Sequence, residues 1–480
     1  MQLVMGPVLL FRGAKAGALR LCALTVTDDG ASPGNLQVEG GERFGPEPLL
    51  RHRSCVLWRT EFSLPADAAM ARYRIAGREH QVAPPPPAGP RILFTACNGS
   101  EVPDELPADT DRRLRPWQMI AADHARSPFH LLVQGGDQIY ADQVWHEHPA
   151  LSLLQSDRGS AARVQFTEPM ADAVFDHYYR LYVRTWSAPG IAHVLARVPS
   201  LMIWDDHDVM DGWGSWPAEL QRSAVFQGIY AAARATFAAF QLGVPADGPL
   251  PAPLLNRDAR HYGWSARIGD VGLYAPDLRA ERTQDQVMGA DGWRDVDRAL
   301  EHLRGCRQVW VVSSVPLLNT PLRWLERLHF SVPGHQFFQD DLRDQWQSYR
   351  HQQEWIRFTG KLLDFKRDTG ARITVLSGEI HFAAWAVLEA AEGRIHQLIS
   401  SGVMHPAPPA LVGRILGMSG GVGHRIGDRG EFRMHRLPGF GCRYLAQRNW
   451  LSLDPGGGEG GYRASWRTEF RGDSRSLEVE

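Results

Sequence analysis

The chain has 480 residues, 44% hydrophobic and 22% charged, with a formal net charge of −2. That length exceeds one simple core, so two or three packed units are expected. The near-neutral balance excludes a general nucleic-acid or membrane-surface binder, which needs a basic face. Among the 52 basic residues only Lys15, Lys361 and Lys366 are lysines. The Arg excess reflects either base composition or guanidinium forks that clamp phosphate or carboxylate. Five Cys without a CxxC pair do not make a disulfide framework. The N-terminal apolar run is broken by Gly6-Pro7 and has no basic flank, so neither a signal peptide nor a membrane span is expected, and a cytoplasmic location follows.

In chain order, residues 1–84 hold short apolar runs between Gly, Pro and Asp clusters, with strands expected at Arg53–Phe62 and Ala71–Ile75. This predicts a small β-sandwich-like domain, closed by the stiff Pro84–Pro87 linker. From residue 90 to 480 the pattern predicts an α/β domain. Buried-type strands are expected at Arg91–Ala96, Phe129–Gln134, Leu201–Trp204, Gln308–Ser313 and Arg372–Leu376. Helices are expected at Arg115–Arg126, Met170–Thr185, Ile191–Ala196 and Ala218–Leu242. Further strands follow at Ala383–Leu388, Arg394–Ser400, Tyr444–Leu453 and Tyr462–Phe470, those over 440–475 packing on the same domain. Gly456–Gly461 reads as a turn, since no helix follows it for a phosphate loop.

Chemistry gathers where buried strands end, the usual place for active sites in α/β folds. Cys97 closes the first strand, as a buried small hydrophobe or a thiolate ligand. Gly135-Gly136-Asp137-Gln138-Ile139-Tyr140-Ala141-Asp142 follows the second; it reads as a capped turn or as a bridging carboxylate with a nearby phenol. Asp205-Asp206-His207-Asp208 follows the third, and three carboxylates beside one imidazole repel strongly unless cations or hydrogen bonds offset them. His207 suits protonation of a leaving oxygen. Gly378-Glu379-Ile380-His381 follows a fourth strand and offers two ligand types. Ser400–His405 ends a fifth and adds His405. No Gly-x-Ser-x-Gly elbow, Walker loop or HExxH helix is present.

Together these groups read as a two-metal centre bridged by Asp137. Thiolate and phenolate from Cys97 and Tyr140 favour a transition metal such as Fe³⁺, and the carboxylates a divalent Ca²⁺, Mg²⁺ or Mn²⁺. The tryptophans Trp145, Trp186, Trp213, Trp216 and Trp324 line a cleft or simply pack, and Arg279 and Arg282 hold phosphate or pair with acids.

Cys97-Asn98, Gly136–Asp142, Trp204–Asp208 and Ser377–His381, in that order, with Ala275–Arg282 between the last two, resemble the alkaline phosphatase D (PhoD-like) metallophosphatases. The resemblance spans residues 90–405. It implies a four-layer αββα sandwich behind a β domain, and a hydrolase acting on a small phosphoester, without nucleic acid or membrane as partner. It implies metal ligands Cys97, Asp137, Tyr140, Asp205, Asp206, Glu379 and His381, with iron on Cys97, Asp137 and Tyr140 and a second metal towards Asp206 and His381. It places His207 and Asp137 in catalysis, and Asn98 and Arg279 on the substrate. Glu379 stands where the family pattern has Asp, and Asp208 where many members have Glu. A non-catalytic binding protein on the same frame, or a hydrolase of C–N or C–O bonds, are the competing expectations.

Overall fold

The computed structural model describes residues 3–15, 17–155, 157–246, 250–255, 261–321, 345–457 and 461–479. Trp324 and part of the Gly456–Gly461 turn lie outside the described residues.

Two large sheets carry the chain. In the first, Ile92–Thr95, Leu131–Gln134 and Ser200–Met202 run parallel side by side. The second places Val271–Ala275, Gln308–Val312, Arg372–Ser377 and Gly393–Ser400 in parallel, then turns antiparallel through Ala383–Ala390 and Gly430–His435. Alternation along a strand assigns each side chain to one face. Trp310 and Val312 join the core shared with the first sheet, whereas Val309 and Val311 join a second core with the helices Ala290–His302 and Gln352–Thr369. Helices Thr110–Arg126, Glu168–Trp186 and Ala224–Gln241 contribute to the first core.

Residues 3–82 do not pack by themselves. Strand Leu3–Lys15 pairs with Ala18–Thr27 and, at Leu10, in parallel with Ser200, so the N-terminal strands extend the first sheet. The Pro84–Pro87 stretch divides the chain in sequence, but Leu9, Leu21 and Phe62 share one apolar cluster with Trp204 and Phe237. Only Leu36–Val38, Arg43–Phe44, Ala71–Ile75 and Arg78–Val82 form a separate four-stranded sheet.

Two further boundaries differ from expectation. The helix expected over Ala218–Leu242 is split into Ala218–Gln221 and Ala224–Gln241. Ser223 caps the second piece by accepting the Phe226 N–H, since a hydroxyl in extended backbone satisfies an otherwise orphaned donor. The strand expected over Tyr444–Leu453 starts properly at Asn449, whose side chain is spent on Ser400 and on the Ser401 and Gln447 carbonyls. Among the described residues no helix is long and apolar enough to cross a membrane.

Candidate metal centre

The carboxyl ends of strands from both sheets meet in one place, and the loops there are bound to one another. Cys97 N–H donates to Gly136 O (3.1 Å) and Asn98 N–H to Asp137 O (2.8 Å). From the other sheet, Val403 N–H donates to Ala96 O, and Met404 and His405 N–H both reach Cys97 O. Approach is close enough to require glycine: a Cβ on Gly378 would lie 2.4 Å from Ala96 Cβ, and one on Gly136 2.7 Å from Asp205 Cβ.

Cys97, Asp137, Glu379 and His381 all have positive φ, between 56° and 63°. A side-chain-bearing residue there costs of order 1–3 kcal/mol, and such strain persists only where the surroundings impose it. Four expected ligands share this conformation, one on each loop or two on the same loop, and all face the junction of the sheets.

Asp137, Asp206 and His207 form the tightest group: one ligand atom from each lies within 4.8 Å of the others. Asp137 is 2% exposed, and its Oδ1 has no hydrogen-bond partner among the described residues. A buried carboxylate oxygen without a donor is costly unless something positive faces it. Burial pushes the Asp137 carboxyl well above the usual range; His207 opposes this, and Asp205, Asp206 and Asp208 add to it. The same burial raises the Cys97 thiol, with the Asp137 charge adding, and raises the Tyr140 phenol. Burial is the largest cause for thiol, phenol and carboxyl alike, and each is raised further by neighbouring negative charge. Donors of this kind fit cations, which would reverse each of those shifts.

The remaining contacts orient the group. Cys97 Sγ lies 3.5 Å from Asp137 Oδ2 and 3.1 Å from Ser401 Oγ, and the Glu379 and Gly402 N–H groups point at the sulfur. Tyr140 OH is 3.3 Å from His381 Nε2, and its ring stacks on His207 at 4.4 Å between centroids. Burial, with His405 adding, holds the His381 imidazole well below its usual pKa, in the neutral form that ligates metals. Burial works against a charged His207, yet the Asp142 and Asp206 carboxylates raise it well above its ordinary value. Its Nδ1 is held 2.9 Å from Asp142 Oδ2, which leaves Nε2 to act. Asp208 faces away from the group. It accepts the N–H of Asp137 (2.8 Å) and Asp205 (3.0 Å) on one oxygen and Gln241 Nε2 (2.8 Å) on the other.

Several expected roles change. Arg279 was expected on the substrate, but it is fully buried, donating to Asp205 Oδ1 (2.5 Å), Asp206 Oδ1 (3.3 Å) and Trp213 O (3.1 Å). Two adjacent carboxylates outcompete solvent for that guanidinium. Asn98, expected beside it, spends Oδ1 on Trp117 Nε1 (2.7 Å) and Nδ2 on Gln138 O (3.3 Å). Asp205 gives Oδ1 to Arg279 and Ser314, and it is Asp206 that joins the tight group with Asp137 and His207. Trp145, Trp186 and Trp213 are buried packing residues, with Trp145 set edge-on to Phe226 and Trp213 stacked on Tyr230. Arg282 is buried against Gly214.

Sequence reasoning missed Ser314, Asp277, Glu101 and Gln241. Ser314 ends the Gln308–Val312 strand as Cys97 ends another, a signal that was available. Asp277 fixes the turn before Arg279 by accepting the N–H of Tyr262, Arg279 and Ala280 and Trp204 Nε1. Glu101 and Gln241 carried no signal. Glu101 holds His405 Nε2 at 2.9 Å, and His405 stacks on His381 at 3.4 Å. Burial opposes ionisation of Glu101, but His405 brings its carboxyl down to about 2.

The family model for PhoD related phosphatase matches residues 114–335. That stretch of the chain resembles the PhoD related phosphatases. A curated protein, the uncharacterized YGR266W of Saccharomyces cerevisiae, is 25% identical over an alignment 370 positions long that covers 64% of this chain. The aligned part is 52% of that protein, so the chain spans about half the length of the curated relative it matches. A solved PhoD structure superposes with a TM-score of 0.57 over 98% of this chain and 88% of its own, at 12% identity. The purple acid phosphatase PPD1 from yellow lupin seeds superposes at 0.52 over 98% and 73%, at 9% identity. Likeness at that identity shows the fold, and the mixed α/β frame with large sheets is common to all three.

Proposed function

We propose that this chain is a PhoD-like, metal-dependent hydrolase of small phosphoesters, built on a four-layer αββα frame. One observation carries the proposal: Asp137 Oδ1, buried and without a donor among the described residues, sits in a group with Asp206 and His207. Asp137 is suited to bridge two cations, with Cys97 and Tyr140 on the side of a transition metal such as Fe³⁺. Asp206, Glu379 and His381 suit a harder divalent ion such as Ca²⁺, Mg²⁺ or Mn²⁺. Cations bound there would supply Lewis acidity, activating water near neutral pH and neutralising charge on a phosphoryl group.

The chain's own groups do the rest. Asp142 fixes the His207 ring and, with Asp206, keeps it protonated, so that Nε2 can donate to a leaving oxygen. Arg279 locks Asp205 and Asp206 in place, and Asp208 anchors the backbone of Asp137 and Asp205. These second contacts set ligand direction, which metal affinity depends on by about 10–100-fold.

The test pairs elemental analysis with hydrolysis of an aryl phosphate, before and after chelation, in wild type and Asp137→Asn. The substitution keeps shape and removes charge. Metal content and activity are expected to fall together by about 10³-fold or more in rate while the far-ultraviolet spectrum is kept. Wild-type activity in the variant, or activity untouched by chelation, would refute the assignment.

A further inference from the structure

The strand Gly393–Ser400 delivers His405 to the loops of the candidate centre, where it has no task in the proposed reaction. A histidine at a strand end suggests one more metal ligand, but the ring's surroundings leave it none of that chemistry. Nδ1 lies 2.8 Å from Pro406 O, and Nε2 lies 2.9 Å from Glu101 Oε2. Both nitrogens are engaged by acceptor oxygens, so neither is left to face a metal. The flat side of the ring is engaged too. It stacks on His381, with 3.4 Å between centroids and 15° between planes, and the Tyr140 ring is tilted against it at 5.7 Å. One buried side chain from the second sheet thus touches loops behind three other strands. Glu101 follows Ile92–Thr95, Tyr140 follows Leu131–Gln134, and His381 follows Arg372–Ser377.

His381 needs such a support. A ligating histidine ordinarily donates its second ring nitrogen to a carboxylate or a carbonyl, which fixes the plane of the ring. Among the described residues the His381 ring has one hydrogen-bond partner, Tyr140 OH at 3.3 Å, itself an expected ligand. Its backbone lies in the left-handed region, at φ 57°, so local preference does not aim the side chain either. What the ring does have is the face-to-face contact with His405, and the carboxylate stands one ring further out, on His405. A stack can orient as a hydrogen bond does, because turning either ring gives up contact over a whole face.

We propose that His405, clamped by Glu101, is a positioning residue that fixes the plane of the His381 imidazole for metal binding. The proposal rests on the reading of this site as a metal centre. Loss of the His405 ring leaves every expected ligand in place but lets His381 turn, so a metal is held less tightly.

The experiment is titration of the chelated full chain with Co²⁺, followed by visible absorption, which reads affinity and coordination geometry without catalysis. His405→Ala is expected to weaken Co²⁺ binding about 10–100-fold and to change the spectrum. His405→Phe keeps a flat ring against His381 and is expected to recover most of that loss. Glu101→Ala should weaken binding about tenfold, and Glu101→Gln, whose amide oxygen still accepts from Nε2, should restore it. Wild-type affinity in His405→Ala overturns the proposal, even where its urea midpoint has shifted, since His405 is then a packing residue. A loss in His405→Phe as large as in His405→Ala also overturns it and makes His405 a ligand. Should His405→Ala not fold, the half-buried Glu101 decides: wild-type affinity in Glu101→Ala overturns the clamp. Wild type that takes up no Co²⁺ refutes the metal centre itself, and the proposal falls with it.

Discussion

Arg279→Met separates two roles that sequence alone leaves open. The guanidinium is fully buried, 2.5 Å from Asp205 and 3.3 Å from Asp206, and Asp205 is itself 1% exposed. Methionine fills similar volume but leaves a buried carboxylate without its cation. Breaking a buried pair from one side costs about 3–5 kcal/mol, a large part of a typical stability of roughly 5–15 kcal/mol. The assay is urea unfolding of chelated protein, so that metal linkage does not mask the effect. Adding Asp205→Asn removes the stranded charge and is expected to restore about 1–3 kcal/mol, the coupling typical of contacting residues. If Arg279→Met shifts unfolding by less than about 1 kcal/mol yet raises KM for an aryl phosphate, the guanidinium serves the substrate and the structural reasoning is wrong.

Gly378→Ala adds a methyl 2.4 Å from Ala96 Cβ, where neither backbone can yield, and is expected to cost about 1–3 kcal/mol and lower metal content; an unchanged unfolding midpoint would contradict the close approach of the two sheets' loops. His207→Gln keeps size but not the proton, and kcat is expected to fall about 10²–10⁴-fold; a rate within threefold of wild type would remove His207 from the reaction. Acid should destabilise the protein through histidines remote from the centre. Burial lowers His80, His124, His130 and His396 to about 4 from an ordinary 6.5. Unfolding therefore takes up protons between those values, so stability is whole above pH ~6.5 and declines towards pH ~4, by about 2 kcal/mol per group at pH 5. A urea midpoint that is flat from pH 7 to pH 5 would refute that sign.

How far the sequence reached can be read from particular residues. Cys97, Asp137, Asp206, His207 and His381 were legible because each follows a continuous apolar strand, and a buried strand can only deliver polar residues where it ends. The helices and parallel strands of the core were legible from periodicity. The N-terminal strands were read as a separate unit, since the parallel pairing of Leu10 with Ser200 spans 190 positions and leaves no local mark. The roles of Arg279, Asn98 and Asp205 were set only in three dimensions. A polar residue's partner depends on which loops meet, and Asp205 and Arg279 are joined by folding alone.

The sequence by itself determined the ligand chemistry: thiol, phenol, carboxylate and imidazole stand at strand ends whatever the packing. Tertiary structure decided which of those groups face one another. It did so because the two sheets' loops interlock at Gly136 and Gly378, forcing Cys97, Asp137, Glu379 and His381 into left-handed backbone. No local propensity favours that conformation for those residues, and only the surrounding packing can hold it.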